Sequence, residues 1–258
     1  MASASEIMAA RIYLNAVFPV MKVMLADDPD MRKKFEGVTA DVQFSAHDDT
    51  GDIGAYLQFK NGELDIMQGF SSDPAITFSF KSIAKMNNML AGKPVLPKIK
   101  GMLHFRLLMK VFSLLMSLKI LMPDARPKEP EKRRLKVKMT LYMITTALSQ
   151  YNKGGDPEMT KWTAKQPERI YQMSVQGEDI AAYLRVKAGK SKAGRGIYTR
   201  RRPFVHMKFN GVDGALPVIL NEVGMVEAVA GGLLSIEGSP EYGGDIGNFM
   251  TRIQNLIS

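Results

Sequence analysis

The strongest constraint on the fold is an internal repeat. The stretch AYLQFKNG at residues 55–62 returns as AYLRVKAG at residues 182–189, with Ala, Tyr, Leu, Lys and Gly kept in place. In the same way, DPDM at residues 28–31 returns as DPEM at residues 156–159, and the tyrosine of RIYLNAV has a counterpart in LYMITTA. The offset between matching residues stays between 127 and 129. A period this long corresponds to a whole domain, so the sequence predicts two domains of one kind.

A boundary between the two domains is visible in the composition. The segment PDARPKEPEKRR, residues 123–134, carries three prolines and many charges and lacks apolar periodicity, which is typical of an exposed linker. We therefore place the first domain at residues 1–127 and the second at residues 128–258. Both lengths are common for a folded domain with its own core.

Each half predicts the same order of elements. An apolar helical pattern opens the first half, with Pro19 as a kink or break. Four alternating segments follow, ADVQFSA, GAYLQFK, ELDIMQG and AITFSFK, and Asn61-Gly62 is a good signal for a two-residue hairpin. We expect these strands to form an antiparallel meander, followed by a helix, a short strand in GMLHF and a last apolar helix. The second half repeats this order and ends with the strand GGLLSIEG and the helix DIGNFMTRIQNLI.

Composition and motifs exclude several function classes. The absence of cysteine excludes disulfides, thiolate catalysis and cysteine-ligated metals. We expect no signal peptide, and no membrane span, because the most apolar stretch, residues 102–122, contains Arg106, Lys110 and Lys119. The AGKS at residues 188–191 lacks the preceding glycine of a phosphate-binding loop. The sequence contains no pattern typical of a catalytic, metal or cofactor site, so we expect a cytoplasmic protein that is not an enzyme.

The net charge of +9 is concentrated in the second half, which carries +7 against +2 in the first. Most of the excess lies in KRRLKVK at residues 132–138 and in residues 187–202. Such clusters suit an anionic membrane surface, nucleic acid or simply solvent. Nucleic acid ranks last because only Trp162 and Tyr198 lie near these charges for base stacking. The residues that we assign to a possible membrane surface are Lys132, Arg133, Arg134, Arg200, Arg201 and Arg202.

The ends of both halves resemble one known family. The stretches ITFSFKSIAKMNNMLAGKPVLPKIKGMLHF and FVHMKFNGVDGALPVILNEVGMVEAVAGGLLSIEG resemble the sterol carrier protein family of lipid-transfer domains, over about 85–110 residues of each half. This resemblance implies a sheet and helices that enclose an apolar tunnel for acyl chains, sterols or similar ligands. The predicted fold class is therefore α+β, with two tandem domains, each a mostly antiparallel sheet covered by helices around an apolar pocket.

The predicted function is non-catalytic lipid binding or lipid transfer. Methionine is abundant, with 19 residues, and its flexible side chain suits an adaptable apolar pocket, although plain core packing explains it equally. The alternative function is an accessory module that presents apolar and basic surfaces to a partner enzyme. The residues predicted to bind the ligand between the sheet and the late helices are Met86, Met89, Leu90, Leu103, Phe105, Leu108, Met109 and Phe112 in the first half, and Ile219, Val223, Val226, Leu233, Leu234, Phe249 and Ile253 in the second.

Overall fold

The computed structural model describes residues 1–49, 51–239 and 241–257, which form two compact units. One unit contains Met1–Lys119 together with the C-terminal residues from Leu256, and the other contains Ile120–Asn255. The domain boundary that we place after residue 127 stays a prediction.

Both units combine helices with a sheet. Up to Lys119 the described chain forms α1 (Ala4–Ile12), α2 (Met21–Asp27), α3 (Pro29–Phe35), β1 (Ala40–Ala46), β2 (Ile53–Lys60), β3 (Glu63–Gln68), β4 (Ile76–Phe80), α4 (Ile83–Leu90), β5 (Lys98–Lys100) and α5 (Phe105–Ser117). From Ile120 onwards it forms α6 (Pro130–Lys153), α7 (Pro157–Ala164), β6 (Arg169–Val175), β7 (Ala181–Lys187), β8 (Lys190–Arg195), β9 (Val205–Phe209), α8 (Gly211–Ile219), α9 (Met225–Ala230), β10 (Leu234–Gly238) and α10 (Glu241–Ile257).

The two sheets have the same strand order. The first runs β3-β2-β1-β4-β5 and the second runs β8-β7-β6-β9-β10. In each sheet three neighbouring pairs are antiparallel, but β1 pairs with β4 and β6 pairs with β9 in parallel. The sheets are therefore mixed, and the predicted antiparallel meander is wrong. The β2–β3 hairpin provides the long connection that a parallel pair requires between β1 and β4.

An aromatic layer shows which face of the first sheet is covered. Buried and half-buried side chains alternate along β4, as expected for a strand with one face in the core. Phe78 of β4 stacks on Phe44 of β1, with ring centroids 4.8 Å apart. Phe18 meets Phe44 edge to face, and Phe112 of α5 meets Phe78 in the same way. The N-terminal helical segment and α5 therefore pack on the same apolar face of the sheet.

The N-terminal helical segment changes its hydrogen-bond pattern around Pro19, as predicted. A π-helix at Tyr13–Val17 and a 3₁₀-helix at Phe18–Val20 separate α1 from α2, because proline has no backbone N–H to donate. The segment Ala4–Asp27 is long and apolar enough to span a membrane by length and composition, which differs from our expectation. Of its apolar window, 61% is buried inside the protein, as in a core helix of a sheet protein.

Two predicted boundaries are wrong. The strand expected in GMLHF is β5, which ends before Gly101, and GMLHF instead forms a turn that leads into α5. The linker expected at residues 123–134 ends at Glu129, because α6 begins at Pro130. Proline favours the first position of a helix, where its fixed φ angle is already suitable and no N–H bond is lost.

The hairpin turns of the two units are matched. Asn61 and Gly62 connect β2 to β3 with φ angles of 50° and 87°, which confirms the predicted two-residue hairpin. Ala188 and Gly189 connect β7 to β8 with φ angles of 44° and 81°. Positive φ at both central residues is the geometry of a type I′ turn, which suits the right-handed twist of paired strands.

A buried glutamine makes the same hydrogen bonds in each unit. Gln43 donates from Nε2 to the carbonyl oxygens of Phe44, Ala55 and Gly69, and its Oε1 accepts from the backbone N–H of Ser71. In the second unit Gln172 repeats this set with the residues Met173, Ala182, Gly196 and Tyr198. Both side chains are nearly inaccessible to solvent. A single amide therefore connects neighbouring strands to the loop that follows the hairpin.

A glycine ends the last strand of each sheet. Gly101 follows β5 with a φ of +84°, and Gly238 closes β10 with a φ of +97°. A Cβ atom at either position would lie 2.0 Å from a backbone oxygen, that of Ala75 or that of Phe204. Glycine is needed twice over here, because the backbone conformation disfavours other residues and there is no space for a side chain.

Candidate functional site

Helix α5 carries one broad apolar face, which is buried along one part and exposed along another. Leu108, Val111 and Leu114, the inner row, are buried in the core of the first unit. Phe105, Met109 and Met116, the outer row, remain 63%, 53% and 53% exposed. At 3.6 residues per turn the outer row occupies a sector of about 40° at one end of a single apolar arc of about 220°, and Phe112 lies between it and the inner row. The exposed end of this arc leaves an apolar strip open to solvent.

The outer row continues into the turn that precedes α5. Met102 and Leu103 follow Gly101, and both side chains point away from the core with most of their surface exposed. Along α5 the polar residues Arg106, Lys110, Ser113 and Ser117 border one side of the outer row. The open strip is therefore apolar in its middle and cationic along one margin.

The structure distributes the predicted ligand-binding residues of the first half over three environments. Met86 and Leu108 are buried, and Met89, Leu90 and Phe112 are half-buried. The other three, Leu103, Phe105 and Met109, lie on the surface. The eight residues therefore do not surround one enclosed space, because the inner part of the apolar face of α5 turns to the core and its outer part turns to solvent.

The predicted ligand-binding residues of the second half are also divided. Leu234, Phe249 and Ile253 are buried in the core. Val226 is 85% exposed, and the half-buried residues are Ile219, Val223 and Leu233. Phe249 packs edge to face on Trp162, with centroids 5.5 Å apart, so its position is explained by the core. Ligand binding by this set stays a prediction.

A half-open cleft of about 740 Å³ lies elsewhere in the first unit, between α2, α3 and the β2–β3 hairpin. It contains none of the predicted ligand-binding residues. Six of its twelve lining residues are charged, and one basic and one acidic residue among them, Lys22 and Asp65, form an ion pair at 2.6 Å. Sites for apolar ligands are lined mainly by apolar side chains, so this cleft is a poor match for the predicted lipid.

Acidic neighbours partly neutralise the basic residues assigned to a membrane surface. Arg133 pairs with Asp213 at 2.5 Å, and Arg134 pairs with Glu178 at 2.7 Å and also with Asp179. Lys132 has Glu129 at 3.9 Å. Of the second cluster, Arg200 and Arg202 are exposed, and Arg201 lies 3.9 Å from Glu168. The structure therefore gives part of this charge a structural role in the second unit.

A serine–histidine contact crosses the second sheet. The Oγ of Ser174 lies 2.7 Å from Nε2 of His206, on the paired strands β6 and β9. Burial, followed by the nearby charge of Lys208, lowers the pKa of His206. Glu237 stands opposite His206, but its carboxylate pairs with Lys208 at 2.5 Å. In nucleophilic catalysis a third group orients the imidazole of the base. Here the facing carboxylate, Glu237, pairs with Lys208 instead, so we assign the serine–histidine contact to strand pairing.

Within residues 1–49, 51–239 and 241–257, no group of three His, Asp or Glu side chains could hold a metal ion. The remaining notable ionisable group is Lys136 of α6, which is almost wholly buried. Its Nζ donates to the carbonyl oxygens of Met122 and Ala125, at 2.9 Å each. Burial, aided by the charge of Arg126, lowers the pKa of Lys136 from 10.5 to about 8.

This buried lysine predicts a pH-dependent stability. Between the folded pKa of about 8 and the unfolded value of 10.5, the unfolded chain binds more protons, so the free energy of unfolding rises with pH in that window. A Lys136→Met variant should lose this rise. Urea unfolding at pH about 7.5 and about 9.5, followed by Trp162 fluorescence, measures the difference.

The exposed Lys132 of the same helix provides the control for this experiment. A Lys132→Met variant should keep the rise seen in the parent protein. An equal rise in the Lys136→Met variant would assign the pH dependence to other groups.

The comparisons with known proteins give limited similarity. No family model matches the sequence, and no curated protein matches it. Among solved structures, sterol carrier protein 2 from Yarrowia lipolytica, in its apo form, is 24% identical, and the alignment covers 40% of this chain and 87% of that chain with a TM-score of 0.29. A double mutant of the sec-alkyl sulfatase PisA1 is 10% identical over 56% of this chain, with a TM-score of 0.28. A structure of the inverting sec-alkylsulfatase Pisa1 from Pseudomonas sp. is 11% identical over 55%, with a TM-score of 0.26.

The sulfatase alignments cover only 28% of those chains. At these TM-scores the similarities carry no argument about function, which must come from the geometry of the described residues.

Proposed function

We propose that the protein is a non-catalytic lipid-binding protein, and that the first unit holds a long apolar ligand between α5 and the sheet. The observation that supports this is the broad apolar face of α5, which is wider than the part that the core buries. Its inner row is buried in the core, and Phe112 remains half-buried where it meets Phe78 of the sheet. Ile99 of the edge strand lies opposite Phe78 and is also half-buried. An acyl chain entering at this edge would extend an apolar layer that is already present.

Apolar contact alone is strong enough for this function. Burial of one methylene contributes about 0.8 kcal/mol, so a dozen acyl carbons contribute on the order of 10 kcal/mol. A micromolar complex requires about 8 kcal/mol. The flexible side chains of Met86 and Met89 in α4 can adapt to ligands of different shape. No charged anchor is needed, which fits a site built from aliphatic and aromatic residues.

We also infer that the two units are tandem copies of one domain. The shared strand order and the equivalent hydrogen bonds of Gln43 and Gln172 support this inference. The last helices nevertheless differ. Helix α10 buries Ile246, Phe249 and Ile253 on one side and exposes polar residues on the other, which are Asn248, Thr251, Arg252 and Asn255. This ordinary amphipathic pattern favours the first unit as the ligand-binding copy.

The first test is the chemical identification of co-purified ligand. Native protein is extracted with organic solvent, and the extract is analysed by mass spectrometry against the protein concentration. We expect a lipid near one equivalent per chain, or binding of a fluorescent fatty acid at micromolar concentration. Repeated absence of both would contradict the proposal.

A variant at the edge of the apolar layer locates the site. Phe112→Ser removes a large apolar contact and should weaken fatty-acid binding about tenfold, which corresponds to about 1.4 kcal/mol. The matched control is Ile236→Ser, a half-buried position on the edge strand of the second sheet. We expect fatty-acid affinity to be unchanged in that variant. An equal loss in both variants would contradict a site confined to the first unit.

A further inference from the structure

We propose that the outer row of α5 is a docking surface for an anionic lipid bilayer. The outer row leaves three large apolar side chains open to water, and Met102 and Leu103 extend it by two more. Covering such a patch removes apolar surface from water, which is favourable in free energy. A helix with an apolar strip and a basic margin is the pattern that lies in the interface of a membrane.

The charge around α5 identifies the chemistry of the partner. Between Asp73 and Asp124 the sequence has no acidic residue. The same stretch contains eight basic residues, which are Lys81, Lys85, Lys93, Lys98, Lys100, Arg106, Lys110 and Lys119. In the part of the chain that the structure describes, none of these eight forms an ion pair with a carboxylate. Their charge is therefore available to an anionic partner, and each Lys or Arg near such a bilayer adds to the attraction.

The position of these charges fits a flat anionic surface. Arg106 and Lys110 lie on α5 itself, beside the outer row. Lys98 and Lys100 lie on β5, and both are exposed. On a neighbouring helix, Lys34 reaches Ser113 of α5 at 3.0 Å, which adds a further cation at the same margin. The apolar strip and the cations are thus joined in one region of the first unit.

The charge clusters of the second half, which predict a membrane surface from sequence, offer less of what such a surface requires. Arg133 and Arg134 are engaged by carboxylates of the second unit, as described above. The second unit exposes fewer large apolar side chains in its described part, among them Ile197 within residues 187–202 and Val226 and Val229 of α9. Docking at α5 combines both contributions that an interfacial helix requires, apolar insertion and electrostatic attraction.

The docking surface deepens the proposed function but can fail independently of it. If extraction yields no ligand and no fluorescent fatty acid binds, while vesicles bind at α5, the ligand site is wrong and the docking surface stands. If ligand is found while vesicles do not bind, the docking surface is wrong. The two experiments therefore separate the two proposals.

The experiment is vesicle co-sedimentation of the full chain. Vesicles of phosphatidylglycerol and phosphatidylcholine are compared with vesicles of phosphatidylcholine alone, at low and at high salt. We expect binding to the anionic vesicles that weakens as salt rises, because mobile ions screen the attraction. The double variant Phe105→Ser, Met109→Ser should bind at least about tenfold more weakly, since two exposed apolar side chains can no longer insert.

Controls make the result specific to α5. Val226→Ser removes an exposed apolar side chain of the second unit and should leave vesicle binding unchanged. Arg106→Gln with Lys110→Gln should weaken binding to anionic vesicles and reduce its dependence on salt. An exposed apolar face could instead be covered by a second copy of the chain, and sedimentation velocity tests for this self-association. Self-association that the Phe105→Ser, Met109→Ser pair abolishes, or equal vesicle binding by that pair and the parent, would overturn the proposal.

Discussion

A Gln172→Glu variant is expected to lose about 3 kcal/mol or more of unfolding free energy at neutral pH, although the change is isosteric. Nε2 of Gln172 donates to the carbonyl oxygens of Met173, Ala182 and Gly196. A glutamate would place a carboxylate oxygen against these three acceptors in a site without solvent. The site would therefore contain either an unpaired charge or a neutral acid with one donor for three acceptors.

Urea unfolding followed by tryptophan fluorescence measures this effect in the correct unit. The chain has a single tryptophan, Trp162, whose Nε1 donates to Asp245 at 2.8 Å within the second unit. The loss should be smaller near pH about 5, because protonation of the new carboxyl removes the buried charge. Gln176→Glu, at an exposed position four residues away, is the control and should change stability little. A similar loss in both variants would show that added negative charge, not the buried hydrogen bonds, is responsible.

Replacement of Gly238 by alanine should have a comparable effect for a different reason. The new Cβ would lie 2.0 Å from the backbone oxygen of Phe204, so β10 and β9 would have to separate. Positive φ adds about 1–2 kcal/mol of strain for a residue with a Cβ, and overpacking adds about 1–3 kcal/mol. We expect a total loss of about 3 kcal/mol.

The control for Gly238→Ala is Gly232→Ala in the same unit. Gly232 also has a positive φ, +70°, but an added Cβ would have no neighbour within 4 Å. Its replacement should show the conformational strain alone, about 1–2 kcal/mol. Both variants are measured by Trp162 fluorescence. Equal losses in the two would indicate that the close approach to Phe204 contributes nothing.

The fold could be predicted from local signals more readily than the strand pairing. Asn61 and Gly62 predict their hairpin because two positive φ angles in a row select such residues. The parallel pairing of β1 with β4 could not be predicted from periodicity, since an alternating strand looks the same whichever neighbour it pairs with. The strand order is decided by packing across the whole sheet.

In the candidate site, too, some features could be predicted from the sequence and others could not. The apolar character of α5 is visible in the sequence, and so is the stretch without acidic residues between Asp73 and Asp124. What sequence alone could not provide is which apolar row faces the core. Leu108 and Met109 are adjacent residues of similar hydrophobicity, yet one is buried and the other is open, because only the sheet fixes the rotation of the helix.

The shortness of β5 has a consequence for crowding at a surface. The strand has three residues at the rim of its sheet, and two of them are lysines. A long, flat edge strand has unpaired backbone groups with which a strand of another molecule can pair. Lysine on an edge strand opposes this pairing. If several chains were close together on a lipid bilayer, the lysines of their β5 strands would repel one another. The chains would then stay separate instead of joining through their β5 edges.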